Sequence, residues 1–180
     1  MKGKEETSVK LLEEILSNQN MNEAYKRVFQ NKGVSGVDGM TVEELKDYLK
    51  EHKDELCNQI CQWKYKPAPA LRVEIPKENG TMPKLGIPTA VDRVVQQAIS
   101  QKLIPIFEQQ FSEYSYGFRP RRSCEMAVIQ ALEYINDGNG WIVDIDLERF
   151  FDTVHHDKLV RIISHTIKDG DVISLIRKYL

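Results

Sequence analysis

Four carboxylates lie close together at the end of an apolar run. Asp144 and Asp146 alternate with β-branched residues in the run 141–147, and Glu148 and Asp152 follow it. Residues two apart on a strand share a face, so this run predicts a core strand that presents two carboxylates together. Such oxygen ligands suit Mg²⁺, whose charge screens their mutual repulsion. The alternative is a structural role, with the aspartates paired to arginines.

Aromatic and basic residues accompany these carboxylates. Phe150 and Phe151 provide an aromatic wall that can pack on a sugar ring and meet a 2′-hydroxyl, or they are core residues. Arg72 and Lys77 suit the binding of a triphosphate or of a strand backbone, or they are solvated side chains. We expect the cluster to bind nucleotides.

The basic pair falls in a predicted β-hairpin, residues 71–88. The segment 72–77 alternates in polarity, and Asn79-Gly80 is a strong signal for a two-residue turn. Prolines in both arms predict an edge hairpin that projects from the body.

The rest of the chain has mostly helical periodicity. The glycine-rich loop 31–41 separates N-terminal helices, and Thr41 with Glu44 predicts a capping box. A long helix is predicted after Thr89, with a kink or interruption at Pro105, and Ser123 is the predicted N-cap of a further helix. More helices are predicted after the acidic residues 144–152.

Whole-chain charge gives no indication of a nucleic-acid partner. The 180 residues carry 25 Lys and Arg against 27 Asp and Glu, a net charge of -2. Residues 61–125, however, carry ten basic and six acidic groups, so a basic band separates two acidic ends. No apolar run is long enough to span a membrane, and three cysteines without metal-site spacing indicate a reduced, cytoplasmic protein.

Four motifs occur in a fixed order. They are residues 32–41 (Lys-Gly-Val-Ser-Gly-Val-Asp-Gly-Met-Thr), the hairpin arms 73–77 and 85–89 with 92–96 (Asp-Arg-Val-Val-Gln), residues 116–123 (Tyr-Gly-Phe-Arg-Pro-Arg-Arg-Ser), and residues 146–159, which begin Asp-Leu-Glu-Arg-Phe-Phe-Asp. Together they resemble the N-terminal half of a bacterial group II intron reverse transcriptase, or maturase, over about residues 20–180.

The resemblance implies an α+β fold: reverse-transcriptase fingers with a partial right-hand palm, mostly helical, with a projecting β-hairpin and a core palm strand. It divides the chain into a helical N-terminal extension (1–62) with an RNA-binding loop (31–41), fingers (63–125) with the hairpin, and the start of the palm (126–180). The last helix stops at Leu180 with its apolar stripe unfinished, so we expect a truncated chain.

The resemblance also assigns site residues. Asp146 matches the first catalytic, metal-binding aspartate, with the Leu147 carbonyl beside it. Phe150, or its neighbour Phe151, matches the steric gate beneath the incoming sugar. The triphosphate contacts are Arg72 and Lys77. The RNA or template contacts are Lys32, Gly33, Ser35, Gly36, Arg119, Arg121 and Arg122, of which the arginines either follow the template or brace the active site.

The implied function is RNA-directed DNA polymerisation together with intron RNA binding and splicing. The implied partners are group II intron RNA, an RNA template with a DNA primer, and dNTPs. The implied cofactor is a pair of Mg²⁺ ions, and the implied location of the protein is the bacterial cytoplasm. The family's Tyr-Ala-Asp-Asp motif is absent from this sequence, so we expect the chain alone to be inactive. The alternatives are a non-catalytic RNA-binding module that assists splicing and a phosphohydrolase that uses Asp144 and Asp146. Exposed apolar surface suggests a homodimer.

Overall fold

The computed structural model describes residues 10–76, 82 and 84–180. Its helices and strands are α1 (Leu11–Leu16), α2 (Asn18–Gln30), α3 (Leu45–Cys61), β1 (Leu71–Glu74), β2 (Lys84–Ile87), α4 (Ala90–Glu108), α5 (Cys124–Asn136), α6 (Phe150–Thr153), α7 (His156–Thr166) and α8 (Gly170–Arg177). Within the described residues, β1 and β2 form the one sheet. The expectation of a mostly helical α+β chain with an antiparallel hairpin is confirmed.

The chain divides into two compact units. Unit 1 contains the described residues up to Lys102 together with His155–Leu180, and unit 2 is Leu103–Val154. Unit 1 holds every buried apolar side chain of the described residues; the largest that are fully buried are Ile15, Met21, Leu45, Val94, Val95 and Val172. Each such side chain contributes about 1.5–3 kcal/mol through removal from water, so unit 1 has a true hydrophobic core. The division into extension, fingers and palm stays a prediction.

Local capping signals in the sequence determine where helices start. Thr41 Oγ1 accepts a hydrogen bond from Glu44 N at 3.3 Å, and Glu44 Oε2 accepts one from Thr41 N at 2.9 Å, immediately before α3. These two bonds are the reciprocal pair of a capping box. Ser123 Oγ accepts from Met126 N at 3.4 Å and starts α5. Both predicted caps are confirmed.

Helix α4 continues through Pro105 to Glu108, so an interruption at this proline is wrong, while the alternative, a kink, stays a prediction. Proline removes one backbone hydrogen bond to the preceding turn, which is costly in the middle of a helix. Here Pro105 lies in the last turn of α4, where few further helical bonds depend on it. The buried residues of α4 all precede it, from Ala90 to Ile99.

The predicted hairpin forms with a defined register. Strands β1 and β2 are antiparallel, with Arg72 opposite Gly86 and Glu74 opposite Lys84. Directly opposite residues share a face, so these four residues form one face of the ribbon, and all four are exposed. The predicted Asn79-Gly80 turn lies outside the described residues.

The core palm strand predicted at 141–147 is absent, and this expectation is corrected. The segment has no regular structure, and Trp141 is 96% exposed and Ile145 is 81% exposed. A strand needs a neighbour to pair its N–H and C=O groups, and β1 and β2, the described strands, pair only with each other. A β-branched pattern alone therefore does not produce a strand here.

Candidate functional site

Asp144 and Asp146, the predicted carboxylate pair, are exposed in unit 2. Asp146 Oδ1 accepts a hydrogen bond from Leu147 N at 2.9 Å, while Asp152 Oδ2 lies 3.3 Å from Arg149 Nε in an exposed ion pair. Across residues 10–76, 82 and 84–180, no three His, Cys, Asp or Glu side chains are grouped so that they can hold a metal ion. The oxygen ligands suit Mg²⁺ by type, but the residues present do not form a complete metal site.

The two adjacent phenylalanines are exposed, not core residues. Phe151 is 84% exposed and Phe150 is 50% exposed, and their rings meet edge to face with centroids 5.6 Å apart. They begin α6, directly after Arg149, whose φ of 49° lies in the left-handed region. Both rings are therefore accessible to a sugar or base, and nothing in their geometry separates the two candidates for the steric gate.

The Arg119 guanidinium is directed into its own loop. The side chain is only 7% exposed, and Nη2 lies 2.8 Å from Glu108 Oε1. Nη1 donates to the carbonyls of Ser112 and Ser115, and the group lies over the Phe111 ring at 5.4 Å. The hydrogen bond from Arg119 holds the pKa of Glu108 below its usual range. These contacts favour the bracing role for Arg119 over contact with a template.

The other two arginines of this loop are more accessible. Arg121 is exposed with a φ of 60°, and the half-buried Arg122 lies over the Tyr116 ring at 5.5 Å. Phe118 beside them is fully exposed with a φ of 55°. Exposed aromatic and basic side chains on a loop are the features with which proteins bind single-stranded nucleic acid.

On the hairpin, Arg72 lies on the same exposed face as Lys84. This face also carries Glu74, directly opposite Lys84. The predicted triphosphate contact Lys77 lies outside the described residues. The hairpin thus offers Arg72 to solvent, as a phosphate ligand requires.

The loop 31–41 packs against the first turn of α4. A Cβ atom on Gly36 would lie 2.7 Å from Thr89 Cα, so only glycine allows this approach. A Cβ on Gly33 would lie 2.1 Å from Arg93 Nη1, and Arg93 Nη2 donates to the Val34 carbonyl at 3.0 Å. The backbone contact makes Gly36 a requirement of this packing, whereas the flexible Arg93 side chain can move away from a Cβ at Gly33. An RNA contact by their backbone stays a prediction.

The polar residues of the same loop differ in exposure. Lys32 is exposed and has a φ of 45°, whereas Ser35 is half-buried. Asp38 Oδ1 accepts from Met40 N at 3.2 Å and stabilises the turn before α3. Of the predicted RNA contacts in the loop, Lys32 is thus the most available to a phosphate.

Sequence reasoning missed a buried carboxylate at the start of α4. Asp92 is 2% exposed and accepts hydrogen bonds from the Tyr65 and Tyr179 hydroxyls and, at 3.1 Å, from Ala68 N. Thr89 Oγ1 donates to it at 2.6 Å. A buried carboxylate needs such donors to offset its desolvation. Asp92 belonged to a recognised motif and Thr89 is only three residues before it, but its other donors, Tyr65, Ala68 and Tyr179, are at least 24 residues away, so no local signal revealed them.

This network fixes both ends of the hairpin. Ala68 precedes β1 and Thr89 follows β2, so one carboxylate holds the two segments from which the strands emerge. Burial raises the pKa of both Tyr65 and Tyr179 above the ordinary range, so the two hydroxyls stay protonated as donors. Asp92 thereby fixes the root of the hairpin that carries Arg72.

The chain matches a known protein family. The family described as reverse transcriptase (RNA-dependent DNA polymerase) matches residues 75–180. This segment contains β2, the arginine loop (residues 109–123, between α4 and α5) and the acidic segment (residues 144–152), whereas β1 lies before it.

Similar proteins include two with curated descriptions and one solved assembly. Protein YkfC of Escherichia coli (strain K12) is 36% identical over 162 residues, which cover 87% of this chain and 42% of YkfC. Group II intron-encoded protein LtrA of Lactococcus lactis subsp. cremoris is 35% identical over 165 residues, 87% of this chain and 26% of LtrA. A chain of a partial Cas6-RT-Cas1–Cas2 complex is 18% identical with a TM-score of 0.60, over 96% of this chain and 28% of that chain. The last similarity shows the fold alone. This chain thus spans less than half the length of either curated relative.

Proposed function

Because this chain belongs to the reverse transcriptase (RNA-dependent DNA polymerase) family, we propose that it is part of an RNA-directed DNA polymerase encoded by a group II intron. The observation that carries the proposal is the family match over residues 75–180, joined by 35% identity to a group II intron-encoded protein. The reaction is attack of a primer 3′-hydroxyl on the α-phosphate of a dNTP, with pyrophosphate as the leaving group. An RNA template selects the nucleotide by base pairing.

Within this activity we assign metal binding to the acidic segment. Asp146 and the Leu147 carbonyl would be among the ligands of Mg²⁺, which would supply neutralisation of phosphate charge. The described residues contain no group of three metal-ligating side chains, so this chain alone is expected not to extend a primer. Further carboxylates must join Asp146 before the site is complete.

Nucleotide contacts are assigned to the basic and aromatic side chains that the resemblance indicates. Arg72 and Lys77 bind the triphosphate, and Phe150 or Phe151 packs under the sugar. Their support is the exposure of Arg72 and of both rings. The buried network at Asp92 holds the hairpin root, which keeps Arg72 in a reproducible position.

Template and intron RNA are assigned to the loop 31–41 and to the arginine loop. Lys32 and Arg121 are exposed cations, and Arg122, next to Arg121 in the sequence, has an aromatic partner in Tyr116. Arg119 is assigned to bracing because its donors are used within the loop.

A second candidate function is a non-catalytic RNA-binding module that assists intron splicing. It is favoured by the incomplete metal site in the described residues, combined with exposed basic and aromatic side chains on loops. RNA binding is common to both functions. Bacterial cytoplasmic location and a homodimer stay predictions, and sedimentation velocity checks the second. None of the described helices combines the length and apolar character needed to cross a bilayer.

RNA affinity tests the proposal. We expect the 180-residue chain to bind group II intron RNA with an affinity that falls steeply between about 50 and 200 mM salt, with a log–log slope of about -0.7 to -0.9 for each phosphate contact. The double substitution of Arg121 and Arg122 by Gln should weaken binding and flatten this slope. Exposed Lys10→Gln is the control that removes a cation outside the loops. A flat salt dependence, or equal slopes for all three proteins, contradicts the proposal.

A further inference from the structure

Arg93 contains the one buried side-chain nitrogen that lacks a hydrogen-bond partner within the described residues. This atom is Nε, while Nη2 of the same guanidinium donates to the Val34 carbonyl. A buried donor without a partner costs about 1–3 kcal/mol, so such an atom usually indicates a water or ligand. Arg93 therefore has an unused donor in a position from which bulk solvent is excluded.

This arginine lines a polar groove between α2 and α4. The groove has a volume of about 290 Å³, close to the lower limit for small-molecule sites. Its lining residues are Val28, Asn31, Arg93, Gln96, Gln97 and Ser100. On α4 these positions recur at three- and four-residue spacing, so they form one face of the helix.

The groove has unused hydrogen-bonding capacity. Gln97 interacts with Gln101 at 3.4 Å, whereas the side chains of Asn31, Gln96 and Ser100 have no hydrogen-bond partner in the part of the chain that the structure describes. Amide groups both donate and accept, as the edges of nucleic-acid bases require. No carboxylate lines the groove, so nothing there repels an anion.

A second groove, between α2 and α3, lacks these properties. It is lined by Lys46, Lys50 and Lys53, but also by Asp54. Lys50 is paired with Asp47 at 2.7 Å, and Lys53 contacts Asn18. Two of its three lysines already have partners and a carboxylate lies among them, so the groove at Arg93 is the stronger candidate.

We propose that the groove between α2 and α4 binds one nucleotide of single-stranded RNA. The Arg93 guanidinium takes the phosphate, and the amides of Asn31 and Gln96 contact the base. Arg93 also holds the loop 31–41 through Val34 and Gly33, so the nucleotide lies beside the predicted RNA loop. The inference rests on the proposed RNA-binding function and adds a defined subsite to it.

Side-chain amide resonances of the isotope-labelled 180-residue chain test the subsite. The probes are a 5′-phosphorylated tetrauridylate, UMP and inorganic phosphate. We expect the tetranucleotide to shift the Asn31 and Gln96 amide signals. UMP should bind with lower affinity than the tetranucleotide, and inorganic phosphate with the lowest affinity of the three. Unchanged signals at saturating tetranucleotide, or equal affinity for phosphate and tetranucleotide, overturn the proposal.

Variants separate the groove from the fold. Arg93→Lys keeps the charge but removes the Nε donor, and it should weaken tetranucleotide binding about tenfold, the equivalent of one good hydrogen bond. Because it also loses the bond to Val34, the double variant Gln96→Ala with Ser100→Ala provides an independent test that leaves that bond intact. Gln19→Ala on the exposed part of α2 is the matched control.

The double variant should weaken tetranucleotide binding several-fold, whereas Gln19→Ala should bind as the unaltered chain does. If the double variant binds the tetranucleotide as tightly as the unaltered chain does, and intron RNA is still bound, the proposed subsite is wrong. The proposed function is not affected by that result. If the unaltered chain does not bind intron RNA, the proposed function is wrong as well.

Discussion

The Tyr65 hydroxyl donates a hydrogen bond to the buried carboxylate of Asp92, which joins the segment before β1 to the first turn of α4. The Tyr179 hydroxyl lies 3.0 Å from that of Tyr65, so the segment that follows α8 also contacts this carboxylate. Three parts of unit 1 that are distant in sequence therefore meet at one charge. The hairpin projects from this root.

Removal of that charge should destabilise unit 1. Asp92→Ala leaves the Ala68 N–H and two tyrosine hydroxyls without their acceptor, so we expect the free energy of unfolding to fall by about 2–4 kcal/mol. Urea unfolding followed by far-UV circular dichroism measures it. Asp47→Ala, which removes an exposed carboxylate paired with Lys50, is the control and should cost far less, because solvent screens that pair. Equal losses for the two variants contradict the account.

The same network predicts a loss of stability at alkaline pH. The pKa values of Tyr65 and Tyr179 are raised by burial, so above about pH 10 the unfolded chain loses these two protons while the folded chain keeps them. The free energy of unfolding should therefore be unaffected by these groups at lower pH and decrease as pH rises above about 10. The double variant Tyr65→Phe with Tyr179→Phe should show a smaller decrease between about pH 9 and pH 11. Parallel pH profiles for the two proteins contradict this assignment.

The approach of the loop 31–41 to α4 depends on the absence of a side chain at Gly36. Gly36→Ala places a Cβ 2.7 Å from the Thr89 backbone, which cannot move aside as a flexible side chain does. We expect a loss of about 1–3 kcal/mol in the free energy of unfolding and weaker binding of intron RNA. Gly170→Ala, where a Cβ meets nothing within 4 Å, is the matched control. An equal effect of both substitutions would show that the loop does not require this close packing.

The sequence predicts features whose cause is local and misses those that depend on distant partners. The reciprocal bonds of Thr41 and Glu44 are three residues apart, so their pattern is visible in the sequence. The two tyrosine donors to Asp92, Tyr65 and Tyr179, lie 27 and 87 residues away, and no periodicity connects them to it. The run 141–147 has the composition of a strand, but pairing is a property of two segments, and no described strand lies beside it.

The steric gate can be tested in a chimaera in which this chain replaces the matching segment of LtrA. Phe150→Val should increase ribonucleotide incorporation relative to deoxyribonucleotide incorporation, because a smaller side chain leaves room for the 2′-hydroxyl. The ratio of kcat/KM values for the two substrates measures the change. Phe151→Val is the matched variant and should leave the ratio near that of the unaltered chimaera. A larger change with Phe151→Val transfers the gate to that residue.

Primer extension by the same chimaera tests the central claim, that this chain supplies a catalytic carboxylate at Asp146. We expect the chimaera to extend a DNA primer on an RNA template, the 180-residue chain alone to produce no extension, and Asp146→Ala to abolish extension while intron RNA binding is retained. Asp137→Ala, an exposed aspartate in unit 2 outside the acidic segment, is the control and should leave extension intact. Extension by Asp146→Ala at the unaltered rate, or a chimaera that folds and binds RNA but extends nothing, contradicts the account.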